Sequence, residues 1–445
     1  MIAPDLARAL EEAGVGTEVA CARASRLRRV LAALGTERRD IDTWAAWFVP
    51  GRIEVLGKHT DYGGGRSLIC AAERGFDVVS APRADGRVAL TDLGRGTRLM
   101  LELKGLDGPA PAVRWATYPL TVLRRLSRNF PEMRRGIDLV FESDLPSAAG
   151  MSSSSALMIA VLLALVRANR LDTTAAWTGN LRNAPEDLAA YAATIENGRT
   201  FRGLIGEGGV GTEGGSEDHT AILCSEPSRV GQYAFCPTRR ERSIPLSGGL
   251  VFAIGVSGVA ARKTGEARGD YNRASRIAGQ VFERWLEVTG RRDESLAAAI
   301  SSADDAADRL RAMLRGDQEL LDRFDQFLEE STRLVPTAAD QLERGDLEGF
   351  GATVARSQDL AGRLLRNQVP ETEALVRTAR ELSAWAASAF GAGFGGSAWA
   401  LIEQSRGRAF LDEWQDAYAA ACPSVAPRSR FFLTRPGPAV VELSE

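Results

Sequence analysis

The spacing of apolar positions changes several times along the chain, and each change marks an element. Residues 1–40 alternate Ala and Leu with charges at helical spacing, which predicts one or two helices. Residues 44–57, WAAWFVPGRIEVLG, are richer in aromatic and β-branched residues. They predict a strand over 47–56, with Pro50 and Gly51 at a bulge or an edge. GKHTDYGGG, 57–65, follows as a loop, because three consecutive glycines permit unusual dihedrals or close approach of a ligand. Residues 67–73 return to strand, and 75–94 predict a hairpin turning at Asp85 and Gly86. An amphipathic helix over 115–130 and a strand over 136–146 come next. LPSAAGMSSSSA, 145–156, reads as a tight turn opening into the apolar helix LMIAVLLALV, and helices continue to about residue 200. The segment 203–224 is a glycine-rich loop with scattered acids that closes on an apolar strand. A buried strand is predicted over 248–258 and helices over 272–385. The stretch 387–404 reads as a helix end, a glycine turn and a strand, and the chain closes as a strand and a tail. Strands dominate up to about residue 145 and helices dominate 272–385. This predicts an α+β fold in two lobes, 1–250 and 251–445, with a cleft between them.

Composition narrows the class. The 445 residues suffice for two or three domains' worth of core. A net charge of −3 argues against general nucleic-acid binding. Cys21, Cys70, Cys224, Cys236 and Cys422 lie far apart without a CxxC pair, as expected of reduced thiols rather than a disulfide or zinc framework. The acidic, amphipathic start lacks the apolar run of a signal peptide, and the longest apolar run, 156–166, is too short to span a bilayer. A cytoplasmic protein without membrane association is therefore expected. No heptad seam demands an oligomer, so a monomer or a weak dimer fits the pattern.

Candidate chemistry concentrates in three turns: 57–65, 145–155 and 391–396. The serine turn places backbone N–H groups and hydroxyls at the start of a helix, whose unpaired donors and positive dipole end suit a phosphate. A serine there can also ligate Mg²⁺. The plainer reading is a Ser-capped core helix. GAGFGG, 391–396, satisfies G-x-G-x-x-G formally, but a helix is expected before it and a strand after it, the reverse of a dinucleotide site. GVAARKT, 258–264, lacks the glycine that a P-loop places before its lysine, here Lys263. Both histidines, His59 and His219, sit beside an aspartate in a polar turn. Asp61 and Asp218 are candidates to bind a substrate hydroxyl or accept its proton. Each could instead cap its own turn. Arg52 precedes a strand running towards the 57–65 loop and could hold charge developing at a phosphate.

VPGRIEVLGKHTDYGGG resembles the signature A-P-G-R-V-N-L-I-G-E-H-T-D-Y of the galactokinase branch of the GHMP small-molecule kinases. PSAAGMSSSSA resembles the phosphate loop P-x-G-x-G-L-S-S-S-A of that superfamily, and GAGFGGSAWALI its third motif, G-G-G-F-G-G-C. With SRFFLTRPGPAV at the end, the matches run in family order from about residue 47 to 440. The resemblance implies a two-lobed fold with the active site between the lobes. It implies ATP and Mg²⁺, and transfer of the γ-phosphoryl group to a monosaccharide hydroxyl, the anomeric O1 if the sugar is galactose.

Roles follow from the same resemblance. Arg52 would sit beside the transferred group, and His59 and Asp61 would bind sugar hydroxyls. Asp218, in GGSEDHTAI where the family has G-I-M-D-Q-F, would be the base or orienting carboxylate. Gly150, Met151, Ser152, Ser153 and Ser154 would wrap the ATP phosphates, with Ser153 or Ser154 near Mg²⁺. Glu196, in ATIENG, matches the family's A-E-H glutamate on Mg²⁺, with Glu207 and Glu213 as alternatives. Tyr271, in GDYNRAS, resembles the sugar-contacting tyrosine of S-E-Y-x-x-R. Residues 391–396 would shape the floor.

Three departures bear on specificity. Lys58 replaces a glutamate that contacts a sugar hydroxyl; an ammonium donates where a carboxylate accepts, and would suit the carboxylate of a uronic acid. Glu54 replaces an asparagine, and the chain between Glu196 and Asp218 is longer and richer in glycine than the family pattern. A kinase for another aldose or a uronate, or a galactokinase-like protein that only senses sugar and ATP, are the alternatives.

Overall fold

The two strands that flank the 57–65 loop organise the first lobe of the computed structural model. That model describes residues 5–37, 43–108, 113, 115–182, 184–246, 248–261 and 266–443. β1 (Ala45–Leu56) is buried along its whole length and pairs antiparallel with β2 (Arg66–Pro82). Its side chains alternate between two cores, as a period of two requires. Ala46 and Phe48 pack under α1 (Leu6–Glu12) and α2 (Thr17–Glu37), whereas Trp47 and Val49 pack towards α3 (Thr117–Asn129) and α4 (Ser153–Asn169). A strand sandwiched between helical layers reads as continuously apolar, and the helices close both faces. The register of β1 on β2 shifts between Pro50 and Arg52 and again between Glu54 and Leu56. The first irregularity lies at the expected Pro50–Gly51 position.

The expected hairpin over 75–94 does not form. β5 (Ile137–Ser143) inserts between β2 and β3 (Arg87–Asp92), antiparallel to β2 and parallel to β3. Arg83 makes the crossover: it binds Asp85 within the turn and Asp138 on β5, at 2.8 Å. The hairpin partner of β3 is β4 (Thr97–Glu102) instead. α5 (Ala175–Leu181) and α6 (Pro185–Asn197) follow α4 as expected.

Two further expectations are corrected. The apolar strand expected at the end of 203–224 is a helix, α7 (Glu217–Cys224). Glu217 and Asp218 in its first turn complement the dipole, and the Asp61 carboxylate accepts from the Glu217 N–H at 3.1 Å. β6 (Arg229–Ala234) and β7 (Arg239–Pro245) then form a hairpin against β2. The helix end expected before the 391–396 glycines is also a strand. β8 (Leu250–Val256), β9 (Ala386–Phe390) and β10 (Ser397–Glu403) belong to a second sheet, in which β10 lies between the other two. The Ala-rich run of β9 suits a helix by propensity, but it is buried throughout, and tertiary packing overrides the preference.

Between β8 and β9 the chain is helical, as expected, from α8 (Glu266–Thr289), α9 (Leu296–Ile300) and α10 (Ala306–Met313) through α11 (Gln318–Glu329), α12 (Val335–Arg344), α13 (Leu347–Leu360) and α14 (Pro370–Glu381). Two π-helical turns, Glu330–Leu334 and Ala361–Leu365, interrupt it. α15 (Gly407–Ala421) and β11 (Arg430–Thr434) complete the second lobe. The tail then returns to the first sheet: β12 (Pro436–Gly437) pairs with β2 and β13 (Val441–Glu442) with β1. The lobes meet where the Trp399 indole of β10 donates to the Glu54 carbonyl of β1 at 3.1 Å. Arg262, Lys263 and Thr264 lie outside the described residues. Among the described residues no helix is long and apolar enough to cross a membrane.

Candidate active site

The loop after β1 is built by backbone geometry and by the second lobe. Gly57 adopts φ +111°, and a β-carbon there would stand 2.3–2.5 Å from Ser67. The Thr60 hydroxyl lies 2.8 Å from each of the carbonyls of Gly57 and Arg66, pinning the turn. Glu330, buried in the first π-turn, accepts from the Gly57 N–H at 2.9 Å and from the Ser357 hydroxyl at 2.8 Å. Such turns often occur at functional sites. Arg323 of α11 donates to the His59 carbonyl and to the Tyr62 hydroxyl, and Gln326 to the Lys58 carbonyl. His59 itself has φ +58°. Its Nε2 lies 3.0 Å from the Ala392 carbonyl, which can only accept, so this nitrogen carries the proton and Nδ1 receives the Tyr62 hydroxyl at 3.1 Å. Burial pushes the Tyr62 phenol up to about 12, against the opposing pull of Arg323, and keeps it a donor.

The serine turn meets this loop through Arg52. The bulge at Gly51 brings β1 so close that a side chain there would collide with Leu145 and the Met151 carbonyl. The Arg52 N–H donates to that carbonyl at 3.3 Å. The Arg52 guanidinium donates to the Gly150 carbonyl and, through Nε at 2.7 Å, to Asp218. Burial works against its charge, but Asp218, Glu54 and Glu217 outweigh that and hold Arg52 ionised above its ordinary range. α4 starts without a side-chain cap: Ser152 takes φ +59°, and its buried hydroxyl has no partner. The third motif seals the junction. Gly391, Gly393, Gly395 and Gly396 all have positive φ, and a side chain at Gly391 would meet the Gly150 carbonyl at 2.9 Å and Arg52 at 3.4 Å.

One cleft results, and its walls are acidic. Arg52, His59, Asp61, Glu196, Asp218 and Tyr271 line it, so six of the sequence-predicted site residues converge. Tyr271 stacks obliquely on His59, with ring centres 5.4 Å apart. Glu196 accepts from Ser155 at 2.8 Å and lies 3.3 Å from His219 Nε2. Its alternatives stand outside: Glu207 pairs with Arg128 at 2.6 Å on the surface, and Glu213 lies 4.0 Å from Arg276.

The phosphate-loop residues border the cleft without lining it. Gly150 reaches it through its carbonyl, Met151 is buried in the core, and Ser153 and Ser154 are half-buried. The serine bound to Glu196 is Ser155, one position beyond those expected. Lys58 does not line the cleft either. The left-handed turn at His59 follows it, and its ammonium, 1% exposed, donates to Ser388 of β9 at 2.7 Å.

Sequence reasoning passed over two carboxylates in the cleft as site residues, Glu54 and Glu217. The signal for Glu54 was its spacing: residues two apart on a strand share a face, so Arg52 and Glu54 point the same way. Glu217 accepts from the Ser67 hydroxyl at 2.6 Å. Burial and the charges of Glu54 and Asp61 hold its carboxyl well above the usual carboxylate range. A raised pKa means that the folded state keeps a proton which the unfolded chain releases above about pH 4.5. Stability is therefore lost as pH rises from there through the folded-state value. Glu217→Gln removes that slope. Melting curves between pH 5 and 8 should fall less steeply for the variant than for the native chain.

The family model for the GHMP kinases N-terminal domain matches residues 117–204, that for the GHMP kinases C-terminal domain 338–420, and the galactokinase galactose-binding signature 37–82. A galactokinase of Streptomyces coelicolor is 30% identical over 383 residues, covering 84% of this chain and 89% of its own. A galactokinase of Roseiflexus sp. is 26% identical over 371 residues, covering 83% and 86%. Among solved structures, Lactococcus lactis galactokinase complexed with galactose matches with a TM-score of 0.76 at 21% identity, over 93% of this chain and 99% of that one. Methanococcus jannaschii mevalonate kinase matches with a TM-score of 0.54 at 13% identity, over 89% and 99%. The two structures share the fold. The chain thus belongs to the GHMP kinases and is a sugar kinase of their galactokinase branch.

Proposed function

We propose that the protein transfers the γ-phosphoryl group of ATP to a hydroxyl of a neutral monosaccharide, with galactose to galactose 1-phosphate as the best assignment. The observation that carries this is the position of Arg52, bonded at once to Asp218 and to the Gly150 carbonyl. It joins the sugar loop, the acidic helix start and the serine turn at one point. A sugar seated against His59, Asp61 and Tyr271 presents a hydroxyl to Asp218. That carboxylate orients the nucleophile and takes its proton as the new O–P bond forms and the bond from the γ-phosphorus to the leaving ADP oxygen breaks. Phosphoryl transfer asks mainly for positioning and charge stabilisation, and Arg52 supplies a fixed positive charge beside the path. The uncapped N–H groups of α4 and the Ser152–Ser154 hydroxyls are the donors for ATP phosphates.

Glu196 and the hydroxyl of Ser153 or Ser154 would hold Mg²⁺, which would neutralise phosphate charge. A single carboxylate fits such an ion, because Mg²⁺ in kinase sites takes most remaining ligands from phosphate and water. Among the described residues there is no cluster of three acidic, His or Cys side chains able to hold a metal unaided.

The location of Lys58 weakens the case for a uronate, since its ammonium is buried outside the cleft lining, donates to Ser388 and offsets the charge of Glu54. ADP release from ATP and Mg²⁺ across galactose, glucose, arabinose, galacturonate and glucuronate tests the reading. Turnover on galactose and none on the uronates is expected. Preference for a uronate would overturn it.

A further inference from the structure

Within that sugar-kinase reading, we propose that Glu54 is a specificity-determining substrate contact: its free carboxylate oxygen accepts a hydrogen bond from one hydroxyl of the sugar. Glu54 lines the cleft, is 3% exposed, and its Oε1 is fully buried with no hydrogen-bond partner. A buried acceptor left unsatisfied is costly, and a ligand donor in the cleft relieves the cost. The rest of the side chain is fixed. Its carboxyl is hydrogen-bonded to that of Glu217, burial holds it above the usual carboxylate range against the opposing pull of Lys58 and Arg52, and the Trp399 indole holds its carbonyl. Only Oε1 is left for a ligand.

The assignment gives the two departures at 54 and 58 one explanation. The carboxylate that the family pattern places after the glycine of the sugar loop stands here four residues earlier, on β1. The lysine in its former place turns behind the wall to Ser388. The pocket keeps a carboxylate acceptor but delivers it from another side, beside Arg52, so it reads a different hydroxyl or a different sugar orientation. Around Glu54 stand Glu217 and Asp218, and the cleft also holds Asp61 and Glu196. Among the described residues lining the cleft, Arg52 carries the one permanent positive charge. This selects neutral polyhydroxy substrates and repels an anionic one.

The test is initial-rate kinetics of the full chain with ATP and Mg²⁺, on the neutral sugar it phosphorylates and on that sugar's monodeoxy analogues. Native protein, Glu54→Gln and Glu54→Asn are compared. Loss of a hydrogen bond to a charged acceptor raises the sugar KM by about tenfold to hundredfold in both variants. The KM for ATP stays within about twofold, which also reports that the variants fold. One deoxy analogue, poor with the native protein, should suffer no added penalty in the variants, because the hydroxyl it lacks is the one Glu54 binds. An unchanged sugar KM, or an equal added penalty on every analogue, overturns the contact while leaving the sugar-kinase reading intact. Native protein that turns over no neutral monosaccharide overturns both.

Discussion

Asp218→Asn should lower kcat by about a thousandfold, the middle of the range for losing a positioned base, while the KM for ATP changes little. The amide keeps the size of the carboxylate and can still accept from Arg52. What disappears is the negative charge that orients the sugar hydroxyl and takes its proton. Arg52 remains ionised, because Glu54 and Glu217 also favour its charge, so the junction with the serine turn survives. Steady-state kinetics together with ATP binding to the variant separate the two effects. If ATP binding falls as far as turnover does, Asp218 supports the fold of the cleft rather than the chemistry.

The second large effect lies farther from the reacting atoms. Arg323→Met should cost roughly 3 kcal/mol of stability and raise the sugar KM by about tenfold or more. Arg323 is buried, and its guanidinium satisfies the His59 carbonyl, the Tyr62 hydroxyl and Gln326, with a longer contact to the Ala274 carbonyl at 3.4 Å. Methionine fills much of the volume but leaves these acceptors unpaired in the interior. The loop that presents His59 and Asp61 then loses its anchor to α11. Thermal melts and sugar kinetics on the same preparation check both halves. A normal sugar KM in a destabilised variant would mean that Glu330 and Gln326 hold the loop without Arg323.

The residues that touch the cleft along the chain were mostly visible before the structure, and their partners across the chain were not. His59, Asp61 and Asp218 stood out because polar groups in glycine-flanked turns break the apolar pattern around them, and Arg52 because it is a charge on the stretch that runs into the 57–65 loop. Tyr271 and Glu196 rested on the family resemblance alone, and both line the cleft. What escaped was long-range. Nothing local shows that Glu330 reaches Gly57 across 273 positions, or that Lys58 meets Ser388 across 330. The same limit explains the fold errors. β5 enters between β2 and β3 from more than forty residues downstream, so a plausible local turn at Asp85 could not reveal the true pairing. β9 carries a helix former's composition, and only its burial between α13 on one face and α14 on the other, with β10 as its partner, makes it a strand. For 217–224 the acidic first turn signals a helix start, whereas the short apolar run AILC suits either a strand or a helix.

The measurement that bears most directly on the account is ³¹P NMR of a reaction containing the full chain, ATP, Mg²⁺ and galactose. The account predicts that the γ-phosphate signal is replaced by a sugar 1-phosphate signal in step with ADP. ADP with free inorganic phosphate, or no consumption of ATP, would contradict it.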